Sequence, residues 1–179
     1  MGGFEKTRYA RRLYTRPVDL IRDLWGLVRA TADVGRAMRG ETISPAFRER
    51  LMLAVSAVNG CRYCSFAHAR QALAAGVSPE EIERLTGGEF EGCPSRELPA
   101  LLYAQHWAET DGHPEPATRD RVVALYGGEE ARAIELALRV IRMGNLGGNT
   151  FDHVLYRLTR GRHGTDARTP PSAHRAVLA

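Results

Sequence analysis

The chain is predicted to fold as an all-α protein, and three observations carry that expectation. Apolar residues recur at helical spacing through most of the length, and the candidate helices are bounded by recognisable start and stop residues. No run alternates apolar with polar residues as a half-buried strand would. About seven helices in a single domain follow, and 179 residues, 44% hydrophobic and 26% charged, suffice for one ordinary core. The expected organisation is a basic N-terminal arm over 1–16, a helical domain over 17–160 and a disordered tail over 161–179, where Pro170-Pro171 stands in a stretch without apolar period.

The first helix is expected over Pro17 to Arg39, with Leu20, Ile21, Leu24, Trp25, Leu27, Val28 and Val34 on its apolar stripe, Pro17 in its first turn and Gly40 as its stop. A second starts at Pro45 behind Ser44, a good N-cap, and ends at Asn59-Gly60, where glycine supplies the left-handed residue that closes a helix. A third opens at once with Cys61, Cys64 and His68 and runs to Gly76. Ser78-Pro79-Glu80-Glu81 reads as a capping box for a short helix stopping at Gly87-Gly88. After a loop through Cys93-Pro94, Ser95 is expected to cap a helix carrying Leu98, Leu101, Leu102, Tyr103, Ala104 and Trp107. Thr118 is expected to cap a short helix closed by Gly127-Gly128, and Glu129 to Met143 to form a strongly periodic one that Gly144 to Gly148 interrupts, with a last helix from Phe151 to Leu158. Trp25 and Trp107 both lie on apolar stripes and are expected in the core, while Asn145 and Asn149, set among glycines, are expected at a helix end.

Charge excludes some functions. The net charge of +4 resides in the ends, since residues 1–16 and 157–179 each hold five basic residues and one acidic, and the stretch between sums to −4. A basic groove for nucleic acid in the fold body is not expected. No apolar run reaches the roughly 18 residues of a membrane span, and the first residues lack the apolar core of a secretory signal, so a cytoplasmic protein is expected. Three cysteines, two of them in C-x-x-C, do not make the even framework of a disulfide-stapled secreted domain. Cys93, in Glu-Gly-Cys-Pro-Ser, is expected to be incidental.

The chemistry concentrates between Ser44 and Gly76. On a helix Cys61 and Cys64 are three apart, and Cys64 and His68 four apart, so the three side chains share one stripe with Cys64 in the middle. Two thiols one turn apart can close a disulfide, and an imidazole one turn further can take or return a proton. Glu49 stands on the preceding helix, where Phe47, Leu51, Ala54, Val55 and Val58 form one apolar face and Met52, Leu53 and Ser56 leave the other mostly apolar too. Such a helix is buried, and a carboxylate carried into those surroundings favours its protonated form unless paired, which makes Glu49 a candidate base. A zinc site from Cys61, Cys64, His68 and Cys93 is the competing reading of the thiols. Tetrahedral sites usually draw two ligands from a knuckle and two from a distant element, and no second Cys/His pair of that kind exists here.

Glu49, eleven residues, Cys61, two residues, Cys64, three residues, His68 resembles the signature of the AhpD-like alkylhydroperoxidase branch of the carboxymuconolactone decarboxylase superfamily, and Gly76-Val77-Ser78-Pro79-Glu80-Glu81-Ile82 resembles the segment that follows it there. The resemblance is strong from about Pro45 to Leu85, weaker from Glu97 to Tyr156 and absent at both ends. It implies the compact AhpD-like helical bundle, assembled as trimers or as hexamers of dimers, with no metal, haem, flavin or other cofactor. It further implies that Cys64 is the peroxidatic thiol, deprotonated through His68 and Glu49, that Cys61 resolves it, and that an external dithiol on a lipoyl protein or thioredoxin-like partner restores the pair. The dipole alone would favour Cys61, nearest the helix N-terminus, but His68 is one turn from Cys64 and about two turns, roughly 10.5 Å of rise, from Cys61. Tyr63 departs from the pattern: it occupies a position where the alkylhydroperoxidase carries another histidine, and a phenol titrates well above an imidazole. Tyr63 is therefore a candidate for the layer behind the site. The alternatives are a cofactor-free decarboxylase like the superfamily's namesake, whose chemistry does not rely on a C-x-x-C pair, and a non-enzymatic module whose thiols sense oxidation.

Overall fold

The helix that the sequence marks as apolar on both faces is the one around which the others pack. A computed structural model describes residues 10–165, and among them lie seven helices and no strand. These are α1 (Pro17–Arg29), α2 (Thr31–Met38), α3 (Pro45–Asn59), α4 (Arg62–Ala74), α5 (Pro79–Thr86), α6 (Leu98–Glu109) and α7 (Pro116–Leu158). Eleven of the fifteen residues of α3 are buried, and it packs against α4, α5, α6 and α7. The all-α expectation holds. No helix among the described residues is long and apolar enough to cross a membrane.

Two apolar clusters share α3. The larger joins Leu51, Val55 and Val58 to Leu101 and Trp107 of α6 and to Ile134, Leu138 and Ile141 of α7. The smaller sets Leu53 against Ala69 and Ala72 of α4, Val77, and Ile82 and Leu85 of α5. At about 1.5–3 kcal/mol per fully buried large side chain, these contacts hold α3 in place between its neighbours.

Where tertiary partners intervene, the elements depart from the sequence reading. The expected helix from Pro17 to Arg39 is broken at Ala30 (φ −108°, ψ 18°), where Thr31 Oγ1 donates to Val28 O at 2.6 Å and starts α2. Trp107 is core at 4% exposure, but Trp25 is 56% exposed, and α1 buries none of its residues. The apolar stripe of α1 faces away from the chain's own core. In α6 the N-cap position is Glu97 rather than Ser95, and in α7 it is Glu115 rather than Thr118. The stop expected at Gly127-Gly128 is present: Gly127, with φ 75° and ψ 168°, is non-helical and separates two helical stretches of α7 by a kink.

Gly144 to Gly148 does not break α7. Glycines weaken a helix by roughly 1 kcal/mol each relative to alanine, but here Asn145 and Asn149 are buried and bonded across to α3, so packing overrides propensity. They are mid-helix residues, not helix-end ones.

The described part of the basic arm, residues 10–16, lies on its own chain. Arg12 N donates to Asn59 O at 3.2 Å, the Arg12 guanidinium reaches Ala108 O and Glu109 O, and Tyr14 N donates to Thr150 Oγ1 at 2.9 Å. The remainder of the arm, residues 1–9, and the expected tail from 166 onward lie outside the described residues.

Candidate active site

Local sequence rules build the corner that carries the thiols. Ser44 Oγ accepts the N–H of Phe47 at 3.1 Å and Pro45 occupies the first turn, which starts α3 and aims Glu49 into the interior. Gly60 ends the helix in the left-handed region (φ 64°, ψ 32°), with its N–H on Ser56 O, a conformation that costs any residue with a Cβ about 1–2 kcal/mol. The chain therefore turns within one residue, and Cys61 becomes the N-cap of α4, its sulfur accepting from Cys64 N at 3.4 Å.

Cys61 and Cys64 are joined as a disulfide, with Cα atoms 5.4 Å apart. Cys61 is fully buried, whereas Cys64 is partly exposed, so a molecule arriving from solvent meets Cys64 first. Both sit in the first turn of α4, where the helix dipole and free N–H groups favour a thiolate once the bond is reduced.

Glu49 is 1% exposed and its carboxylate is fully engaged. One oxygen accepts from the Arg48 guanidinium, Nε at 2.9 Å and a terminal nitrogen at 2.8 Å, and the other lies 2.7 Å from His68 Nδ1. Arg48 is itself anchored on Met38 O at the end of α2. With Glu49 as the carboxylate acceptor, the imidazole carries its proton on Nδ1 and keeps Nε2 as the basic nitrogen. The structure thus joins Glu49 to His68 directly, and joins His68 to Cys64 through one turn of α4. Arg48 was not singled out in the sequence: neighbours at i, i+1 on a helix do not normally face each other, so nothing in the spacing points to it.

Tyr63 does not join that group. It is half-exposed on the other side of α4, its hydroxyl donating to Asp152 Oδ1 at 3.2 Å and accepting from Arg62 at 2.6 Å. Asp152 is buried and also takes a 2.8 Å ion pair from Arg11. Burial alone would raise its pKa, but hydrogen bonds from Arg11 and Thr165 and the charges of Arg62 and Arg11 hold the carboxyl below the usual range.

A ladder of amides backs the corner, again without a sequence signal. Asn145 Nδ2 donates to Ser56 Oγ at 3.0 Å and Asn59 Nδ2 to Asn145 Oδ1 at 3.1 Å, while Asn149 Nδ2 donates to Asn59 O at 2.9 Å and to Arg12 O at 3.0 Å. Each of the three amide nitrogens donates to a partner, so the ladder fixes the register of α7 against the Asn59–Cys61 turn. One turn on, Gly148 lies where a side chain would come within 3.6 Å of Cys61 Sγ.

Cys93 is elsewhere, partly buried against both clusters. Burial and the nearby carboxylate of Glu81, which its thiol also hydrogen-bonds, push its pKa up to about 11. A thiol in that state is a poor nucleophile near neutral pH. Cys93→Ser is expected to leave peroxide turnover within about twofold of wild type, measured by peroxide consumption with a dithiol donor; a loss matching that of Cys64→Ser would make Cys93 a site residue.

Comparison with curated proteins finds no match to the chain, and comparison with solved structures finds none either. A family model does match, over residues 26–109. The match starts well before Pro45 and ends near the close of α6, so the weaker resemblance expected out to Tyr156 lies largely beyond it. Within the match fall the capped α3, the Gly60 turn, both cysteines, His68 and Glu49, and through that core the chain is similar to the carboxymuconolactone decarboxylase family.

Proposed function

We propose that the protein is a peroxide-reducing thiol oxidoreductase of the AhpD-like kind. The observation that carries this reading is a C-x-x-C disulfide whose more exposed sulfur lies one turn from an imidazole bonded to a buried glutamate. A structural thiol pair has no need of a buried Glu–His pair beside it. Buried, paired ionisable groups gathered at a partly open nucleophile are a common mark of a catalytic site.

In the reduced enzyme His68 Nε2 takes the proton of Cys64, with Glu49 holding the imidazole and balancing the charge it gains. The Cys64 thiolate attacks one peroxide oxygen. The O–O bond breaks, Cys64 becomes a sulfenic acid, and the departing alkoxide is protonated from the relay and leaves as alcohol. Cys61 then attacks the sulfenic sulfur as thiolate, the S–OH bond breaks, hydroxide leaves as water, and the disulfide forms. Two electrons from an external dithiol, on a lipoyl or thioredoxin-like protein in a reducing cytoplasm, return both thiols. The cycle needs no metal or organic cofactor. Mixing the protein with peroxide and a dithiol donor tests it: many turnovers per chain are expected, whereas oxidation that stops at one equivalent would leave a redox sensor instead.

The bare apolar face of α1 supports self-association as part of the same proposal. Val18, Leu20, Ile21, Leu24, Trp25 and Val28 are all 41–64% exposed, a stripe that a helix of a monomeric protein would bury. We place a second copy of the chain on this face, within a trimer or hexamer. Ile21→Glu with Trp25→Glu is expected to yield monomers by light scattering coupled to size exclusion, with the helical circular dichroism retained. An unchanged mass would remove α1 from the interface.

A further inference from the structure

Both residues between the two cysteines are tied to one carboxylate. Tyr63 donates its hydroxyl to Asp152 Oδ1 at 3.2 Å, and the Arg62 guanidinium reaches the same oxygen at 3.4 Å while donating to the Tyr63 hydroxyl at 2.6 Å. That guanidinium also lies over the Tyr63 ring, 4.6 Å from its centroid. Asp152 Oδ2 pairs with Arg11 at 2.8 Å, and both of those side chains are 3% exposed. The carboxylate is thus fixed from one side by the arm, and on the other it holds the first turn of α4.

One helix, α7, serves both sulfurs. Gly148 and Asp152 are four residues apart and so stack on one face of α7. A Cβ at Gly148 would stand 3.6 Å from Cys61 Sγ, and one turn on Asp152 holds the two residues that follow Cys61. Between them Asn149 Nδ2 donates to Asn59 O and to Arg12 O. Cys61 is therefore placed through the Asn59–Cys61 turn and Cys64 through the first turn of α4, each against the same helix. The arm ties the two placements together, since Arg11 meets Asp152 and Arg12 N donates to Asn59 O. These links do not pass through the sulfurs, so none of them depends on the disulfide.

We infer that Asp152, acting through Arg62 and Tyr63, is a positioning residue for the redox pair: it keeps Cys61 and Cys64 within bonding reach in the reduced protein, and so speeds closure of the disulfide and stabilises it. The inference rests on the thiol oxidoreductase reading and adds to it the group that governs the resolving step. In that step the Cys61 thiolate attacks the Cys64 sulfenic sulfur, the S–S bond forms as the S–OH bond breaks, and hydroxide leaves with a proton as water. Two groups held near attack distance react at a high effective concentration, and the same concentration enters the equilibrium between dithiol and disulfide. A loosened first turn of α4 lowers both. Attack of Cys64 on peroxide needs no approach of Cys61, so that step is spared.

Arg62→Met combined with Tyr63→Phe tests this, because it cuts both links from α4 to Asp152 and leaves the buried Arg11–Asp152 pair whole. Asp152→Asn would strand Arg11 and disturb the fold. Equilibrated with reduced and oxidised dithiothreitol, the double variant is expected to favour its disulfide about tenfold less than wild type, which is about 30 mV for a two-electron couple. Given one equivalent of peroxide, it should close the disulfide about tenfold or more slowly and yield more dimedone-trapped Cys64 sulfenic acid, while the first peroxide step stays within about twofold. Tyr63→Phe alone, which changes no charge, should move equilibrium and closure in the same direction by a smaller factor. Unchanged equilibrium and closure in the double variant overturn the inference. So does an effect confined to the variant lacking Arg62, which would belong to its charge, or an equal slowing of both peroxide steps with a lowered Tm, which would make the Asp152 contacts ordinary packing. The exchange with dithiothreitol uses no peroxide, so failure of the peroxidase reading shows separately, as a protein that forms no sulfenic acid yet keeps the tenfold difference.

Discussion

Cys64→Ser is expected to abolish peroxide turnover, a loss of at least about 10⁴-fold that leaves only background, because the thiol that remains in the site, Cys61, is fully buried and closed to peroxide. The partner experiment separates the two cysteines. In Cys61→Ser, one equivalent of peroxide should be consumed per chain and then no more, with a sulfenic acid trapped on Cys64 by dimedone and located by peptide mass. The asymmetry follows from burial: Cys61 is closed off from solvent beneath α4 and against Gly148, while Cys64 is partly open. Burial and the dipole pull in opposite directions, since Cys61 stands nearer the helix N-terminus. Access decides, because a thiolate that a peroxide cannot reach has no rate. A dimedone adduct on Cys61 in the reciprocal Cys64→Ser protein, formed as fast as that on Cys64, would reverse the assignment.

The second large effect belongs to the buried pair. Glu49→Gln should lower the rate of Cys64 oxidation by roughly 10²- to 10⁴-fold, the usual range for losing a general base, and His68→Asn should act in the same direction. The two substitutions stress the fold differently. Gln at position 49 removes the charge that faces the Arg48 guanidinium, and breaking a buried ion pair can cost about 3–5 kcal/mol. His68→Asn leaves the Arg48–Glu49 pair intact, so a rate loss there, in a protein of wild-type Tm, reports the relay and not the packing. Since both groups serve one proton transfer, the double variant is expected to be little worse than the poorer single one. Alkylation of the reduced protein across pH gives an independent readout: the apparent thiol pKa of Cys64 should rise in each variant. An unchanged oxidation rate and alkylation profile in folded His68→Asn would reduce the pair to a structural ion pair.

The thiol corner and the anchoring of the site were legible to different degrees. Ser44, Pro45 and Gly60 mark their helix boundaries by rules that act within four residues, and the structure has each of them in the expected place. Cys61, Cys64 and His68 share a stripe because helix geometry requires it once the boundaries are set. Apolar residues on both faces of α3 foretold its burial, and with it that of Glu49. Asp152 and the Asn59–Asn145–Asn149 ladder were beyond reach, because each acquires its role from a partner on another element, and Arg48 was, because adjacent residues on a helix do not normally face each other. Asp152 meets Arg11 across 141 residues, and Asn145 meets Ser56 across 89.

By itself, then, the sequence determined the all-α class, the capped corner between α3 and α4 and the stripe of cysteines and histidine, since all three follow from interactions within one or two helical turns. Only the tertiary structure decided that α7 runs on through Gly144 to Gly148, because buried amide bonds to α3 outweigh the local cost of glycine. It likewise decided that Trp25 faces outward, since an apolar stripe carries no record of which surface will cover it. And it decided that Tyr63 turns to Asp152 rather than to Glu49, because α7 and the strap at Arg11 bring a carboxylate to that side of α4 and local spacing cannot.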